Sequence, residues 1–144
     1  MIAVMINKSH YTPPFIVENG TFSVNVPSAD LREKVDYCGL VSSANVDKSK
    51  LFDVFYGDLK TAPMIRECPR CIECRLVKAL ALPTNDIFIG EIAASYADER
   101  CLTDGKPDGK KVNPLLLTMP DNGYWTVGER AGKAWSDGRK LMKK

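Results

Sequence analysis

The chain has 144 residues, of which 44% are apolar and 26% charged, with a net charge of +2. That length suits one ordinary domain spanning 1–144, and the composition argues against a disordered or fibrous chain. So mild a charge argues against nucleic acid as a partner, which needs a concentrated basic stripe; the cluster Arg139, Lys140, Lys143 and Lys144 reads as a solvated terminus.

Taken in chain order, residues 1–6 (MIAVMI) read as a buried strand and lack the basic leader and cleavage site of a signal peptide. Thr12-Pro13-Pro14 predicts a helix start with Thr12 at the cap, and Asn19-Gly20 predicts its end. Residues 21–26 alternate, with Phe22, Val24 and Val26 inward and polar residues outward, as in a half-buried strand. Ser28 can cap a second helix whose Leu31, Val35 and Cys38 share a face and which Gly39 stops. A short helical segment is expected over 47–52. Residues 72–82 and 86–96 then read as two long strands joined by Pro83-Thr84-Asn85, a hairpin, and Gly90 marks a bulge or a close approach. A turn-rich loop at 104–109 precedes an apolar run at 112–117. No window approaches the roughly 18 apolar residues of a membrane span.

Chemistry-bearing residues cluster early. Asn7, Lys8, Ser9, Tyr11 and Thr12 put a cation and three hydroxyls just after an apolar strand and at a helix start, which is what a phosphate requires. Ser42, Ser43 and Lys48 offer a second such group. With NKSHYT, FSVNVPS, DYCGLVS and VDK in that order, and with FIGEI at 88–92, NPL at 113–115 and GYWTVGE at 123–129, nearly the whole chain resembles the flavin reductase-like family, which includes the flavoredoxins.

The resemblance implies a mainly β fold, a split β-barrel of the Greek-key, FMN-binding type with a few short helices. It implies that Asn7, Lys8, Ser9, Tyr11, Thr12 and Lys48 hold the FMN phosphate, and that Cys38, Gly39, Leu40, Val41, Ser42 and Ser43 pass beside the ring. The implied activity is electron transfer through bound flavin from NAD(P)H to flavin, a ferric complex or a partner protein, in a cytoplasmic homodimer. Two departures shape the expectations. Asn85 stands where many flavin reductases carry a histidine, and asparagine carries no titrating proton, so a flavoredoxin-type carrier without direct NAD(P)H activity is the alternative. Family members also begin with a leader strand and a Thr/Ser-rich turn. A shortened start, or a truncated domain that no longer binds flavin, is the further alternative.

The five cysteines, an odd number without an export signal, point to reduced thiols. Cys68, Cys71 and Cys74 invite a metal reading, but on a strand Cys71 and Cys74 would face opposite ways and no fourth ligand follows. Two buried thiols in a strand are the plainer reading. Tyr124, Trp125 and Trp135 could cover a ring or pack in a core or dimer contact. His10, the one histidine, is expected to have a structural or solvent-facing role.

Overall fold

A computed structural model describes residues 1–142; Lys143 and Lys144, half of the expected basic tail, lie outside the described residues. Arg139 and Lys140 sit, exposed, in a 3-10 turn over Asp137–Leu141.

A long antiparallel ribbon organises the chain. Strands β5 (Arg70–Ala81) and β6 (Asn85–Ala97) pair from Arg70 opposite Ala97 to Ala81 opposite Asp86, as the hairpin signal at Pro83 leads one to expect. β1 (Ile2–Asn7) joins β6 with Asn7 opposite Asn85, and β2 (Thr21–Val26) joins β5 with Val26 opposite Arg70. The resulting sheet has the order β1-β6-β5-β2. Register shifts between Glu73 and Cys74 and between Leu76 and Lys78 bend the ribbon and curl the sheet into a half-barrel.

Among the described residues, three two-stranded ladders and an isolated bridge between Ser28 and Pro114 complete the β structure. The ladders are β3 (Val54–Phe55) with β4 (Met64–Ile65), β7 (Leu102–Thr103) with β8 (Lys106–Pro107), and β9 (Leu116–Thr118) with β10 (Gly123–Trp125). Strands of two or three residues are too short for a period of two to show in sequence.

Helix α1 (Thr12–Asn19) starts one residue earlier than expected: Tyr11 is the N-cap, makes no side-chain cap bond, and Thr12 is already helical. Pro13 and Pro14 carry no N–H, so the first turn has fewer donors to satisfy. Gly20 ends the helix at φ 64°, its N–H bonded to Ile16 O. After a 3-10 turn at Ala29–Leu31, α2 (Arg32–Leu40) runs through Gly39 and stops where Val41 becomes extended, so Gly39 is not its stop. The expected face is the half-buried one: Leu31, Val35 and Cys38 are partly covered while the rest of the segment is exposed, and Leu31 packs against a buried cluster, although no residue of α2 is fully buried. The third helical segment is a 3-10 turn at Lys48–Leu51, and α3 (Gly109–Val112) is a single turn capped by Asp108. No helix among the described residues is long and apolar enough to cross a membrane.

The core divides between the two faces of β5. Ile72 and Cys74 join Ile16, Phe22 and Phe88 on one face, while Cys71 joins Met64 and Cys68 on the other. Gly90 is required by the first cluster rather than by a ligand: a Cβ there would lie 2.6 Å from Cε1 and Cζ of Phe22 and 3.0 Å from Cys74 Cβ. Around Gly39, by contrast, nothing lies within 4 Å of an added Cβ. Gly90→Val is therefore expected to lower stability by roughly 1–3 kcal/mol through overpacking, and Gly39→Ala to raise it by about 0.5 kcal/mol through helix propensity. Thermal melting of the two variants checks both signs.

Candidate functional site

The turn after β1 is closed by Asn7. Its Oδ1 accepts the Ser9 N–H at 2.9 Å and its carbonyl accepts the His10 N–H at 3.0 Å. Lys8 N–H donates to Thr84 O at 3.0 Å, and Lys8 Nζ lies 3.6 Å from Asp86 Oδ1, which ties the turn to the β5–β6 loop. Asn85 is part of the same corner, its Oδ1 accepting the Thr84 hydroxyl at 2.7 Å. Ser9, His10, Tyr11 and Thr12 remain exposed at the start of α1.

Tyr11 faces the 43–49 segment across a polar recess of about 520 Å³ that Ser43 and Lys48 also line. Lys48 Nζ donates to Cys38 O at 2.6 Å, in the last turn of α2, where helix carbonyls carry partial negative charge. This contact folds the CGLVS and VDK segments onto each other. Ser42 serves the local turn: its Oγ accepts the Ala44 N–H at 3.2 Å and its carbonyl accepts from Asn45 and Val46. Gly39 borders open space, Leu40 is 77% exposed, and Cys38 to Val41 line neither this recess nor the groove beside it.

That groove, of about 570 Å³, lies on the other side of the first turn of α1. It follows the edge strand β2, with walls from Thr12, Phe15, Phe22, Val24, Tyr56 and Pro63. Phe15, Tyr56 and Pro63 escaped the sequence reading. The available signal was the polar half of the β2 alternation, which we expected to face solvent. Instead it clasps the 61–65 segment: Thr21 Oγ1 lies 2.8 Å from Thr61 Oγ1, Ser23 Oγ donates to Pro63 O, and Asn25 Oδ1 accepts the Ile65 N–H at 3.0 Å. Residues expected to be solvated thus form a seam between β2 and the groove wall.

Glu73, on the same face of β5 as Cys71, is fully buried. Its Oε1 accepts the Asp58 N–H at 3.0 Å and the Tyr96 hydroxyl at 2.8 Å, and its Oε2 accepts the Leu59 N–H at 3.2 Å. Burial pushes the carboxyl up, but the bonds from Tyr96, Leu59 and Asp58, aided by the charge of Lys60, outweigh it and hold the group below its ordinary range. Gly57 makes this packing possible, because a Cβ there would meet the Tyr96 hydroxyl and lie 2.6 Å from Glu73 Oε1. No sequence motif marks this pair.

The cysteines separate. Burial pushes the Cys68 thiol up to about 12, with Cys71 and Glu67 adding to it, and burial likewise raises Cys71 and Cys74. Cys71 Sγ donates to Ile65 O at 3.3 Å. Cys71 and Cys74 belong to different clusters on opposite faces of β5, which prevents joint chelation. Among the described residues no group of three or more His, Cys, Asp or Glu is placed to hold a metal ion. The late aromatics stand apart from the groove. Tyr124 OH donates to Asp36 at 3.0 Å, Trp125 Nε1 donates to Thr118 at 2.8 Å, and Trp135 is 93% exposed.

Against known proteins, the sequence profile of the flavin reductase like domain matches residues 1–118. A flavoredoxin crystal structure from Methanosarcina acetivorans is 61% identical with a TM-score of 0.95, covering 97% of this chain and 75% of that one. Flavoredoxin of Desulfovibrio vulgaris (Miyazaki F) is 36% identical with a TM-score of 0.87, covering 94% and 74%. A proposed flavin reductase with a split barrel domain from Shewanella frigidimarina, 19% identical, shares the fold with a TM-score of 0.79 over 93% and 70% of the two chains. The fold is thus a split barrel. A curated, uncharacterized relative from Archaeoglobus fulgidus is 34% identical over 111 residues, 75% of this chain, and the chain spans 62% of that relative's length.

Two outcomes test this geometry. A carboxyl held low stabilises the fold fully above its ordinary value of 4.5 and loses that contribution as pH falls through the lowered folded value. The melting-temperature gap between wild type and Glu73→Gln should therefore stay constant above about pH 5 and close below it; Asp58, Lys60 and Tyr96 are the titratable neighbours. In a thiol titration of the native protein at pH 8, the half-buried Cys38 and Cys101 should react quickly, and the buried Cys68, Cys71 and Cys74 only on unfolding.

Proposed function

Because the chain belongs to the flavin reductase-like domain family, we propose that it is an FMN-binding oxidoreductase, with the phosphate at the start of α1 and the ring in the apolar groove. The observation that carries this reading is the meeting of a polar recess and an apolar groove at one helix start.

The donor set suits such a ligand. A dianionic phosphate needs cations and hydroxyl or N–H donors, and a flat ring needs an apolar cleft. Lys48, Ser43 and Tyr11 supply the first, joined by Ser9, Thr12 and the partial positive charge of α1. Phe15, Phe22, Val24 and Tyr56 supply the second. The groove's volume of about 570 Å³ falls within the roughly 300–1,000 Å³ of small-molecule sites. When bound, the flavin ring supplies hydride or electron transfer, and the protein sets its position, solvent access and potential. Lys48, bridging Cys38 O and the recess, orients the phosphate end, while Tyr56 and Phe15 exclude water from the ring.

Electrons would enter from NAD(P)H and leave to flavin, a ferric complex or a partner protein. Asn85, together with the similarity to chains described as flavoredoxins, favours a second reading: an electron carrier that stays oxidised with NADH and NADPH until a protein donor is supplied. Rapid-mixing reduction separates the two. The exposed Tyr56 and Trp135 accord with a homodimer carrying flavin at its interface, and five free thiols accord with a cytoplasmic location.

Titration of the purified chain with FMN, followed by fluorescence quenching, is expected to show saturable binding of one flavin per chain. Lys48→Met should weaken FMN about ten-fold by removing a charge-assisted contact to phosphate, and should weaken riboflavin, which lacks the phosphate, far less. Equal effects on both ligands would move the phosphate elsewhere. No binding by the wild-type chain would overturn the reading in favour of a domain without flavin.

A further inference from the structure

The groove has one wall that is anchored by local structure on one side only. Tyr56 is 55% exposed; the pairing of Phe55 with Met64 fixes the chain just before it, and the backbone of the 56–60 loop must fix it from the other side. Past Gly57, the Asp58 and Leu59 N–H groups both donate to the carboxylate of Glu73. The next anchors along the chain are Thr61 on Thr21 and Pro63 on Ser23. Lys60, at φ 59°, turns the chain between these two sets. Glu73 also takes the Tyr96 hydroxyl from β6, so a single buried carboxylate joins the loop to both long strands.

We infer that Glu73 is a positioning residue for the flavin: it touches no ligand but holds the 56–60 loop so that Tyr56 forms the outer wall of the ring groove. This rests on the proposed function above. The chemistry favours a carboxylate over its amide at this position. Glu73 presents acceptors to three donors, whereas glutamine would turn an NH2 group toward one of them and leave a backbone N–H or the Tyr96 hydroxyl without a partner. Gly57 leaves room for no larger neighbour, so the loop cannot shift inward to compensate.

The test compares wild type, Glu73→Gln, Tyr96→Phe, Tyr56→Leu and the Glu73→Gln/Tyr56→Leu double variant, each by amide hydrogen exchange and by FMN titration. Glu73→Gln should speed exchange of the Asp58 and Leu59 amides and weaken FMN binding, each roughly ten-fold. Tyr96→Phe should act in the same direction by less. Because Glu73 works through Tyr56, adding Glu73→Gln to Tyr56→Leu should weaken FMN no further, and the flavin fluorescence remaining at saturation should be equally raised in all variants carrying either change. Full additivity of the two losses, or unchanged exchange at Asp58 and Leu59, would overturn the inference. Should Glu73→Gln not fold, Tyr96→Phe carries the same two readouts. If the wild-type chain takes up no FMN, the functional reading fails by itself, and amide exchange alone decides whether Glu73 holds the loop.

Discussion

A carboxylate with no solvent exposure is tolerated only if its lone pairs are filled by donors, and at Glu73 three donors come from two places in the chain. Two are backbone N–H groups of a loop with no regular structure, and the third is the tyrosine hydroxyl of the neighbouring strand. The arrangement converts an expensive burial into a clamp. Removing the carboxylate would leave all three donors without their acceptor, so the loop, β5 and β6 are held as a unit. Tyr56, Thr61 and Pro63 line the groove because this clamp and the β2 seam bring their segment against the sheet.

The two faces of β5 divide the work. Ile72 and Cys74 face the apolar cluster under α1, where Phe22 crosses Gly90 so closely that only hydrogen fits. Cys71 and Glu73 face the covering segment, where polar groups are satisfied one by one. The register shift at Glu73/Cys74 reverses the alternation along β6 as it bends the ribbon, so Phe88 faces the first cluster and Tyr96, further along the same strand, faces the second. The groove at the edge of β2 borrows from both faces, with Phe22 and Val24 from one and the seam residues from the other. Its chemistry is accordingly mixed, apolar within and hydroxyl-rimmed.

At the polar end, the two lysines already have partners. Lys8 lies beside Asp86, and Lys48 reaches the carbonyl end of α2. Each contact pre-orients a flexible side chain and lowers the entropy lost when an anion arrives, at the cost of some free charge. The Lys48 contact also joins the CGLVS and VDK segments, the lysine side chain spanning the turn between them.

How much was legible beforehand follows from the range of the interactions. The sequence by itself determined β1, β2, the β5–β6 hairpin and the Gly20 stop of α1, because periodicity and turn chemistry act over a few residues, and its ordered segments pointed to the family. Gly39 misled, because a glycine reads as a stop whether or not its backbone turns left-handed, and here the helix simply continues to Leu40. Tertiary structure alone decided the groove, the polar seam and the Glu73 clamp. Their bonds join residues 14 to 40 positions apart, between a strand and segments whose own strands are two residues long. No local pattern encodes which distant donor will fill a buried acceptor; that choice is made only when the sheet has curled and the covering segment has been laid across it.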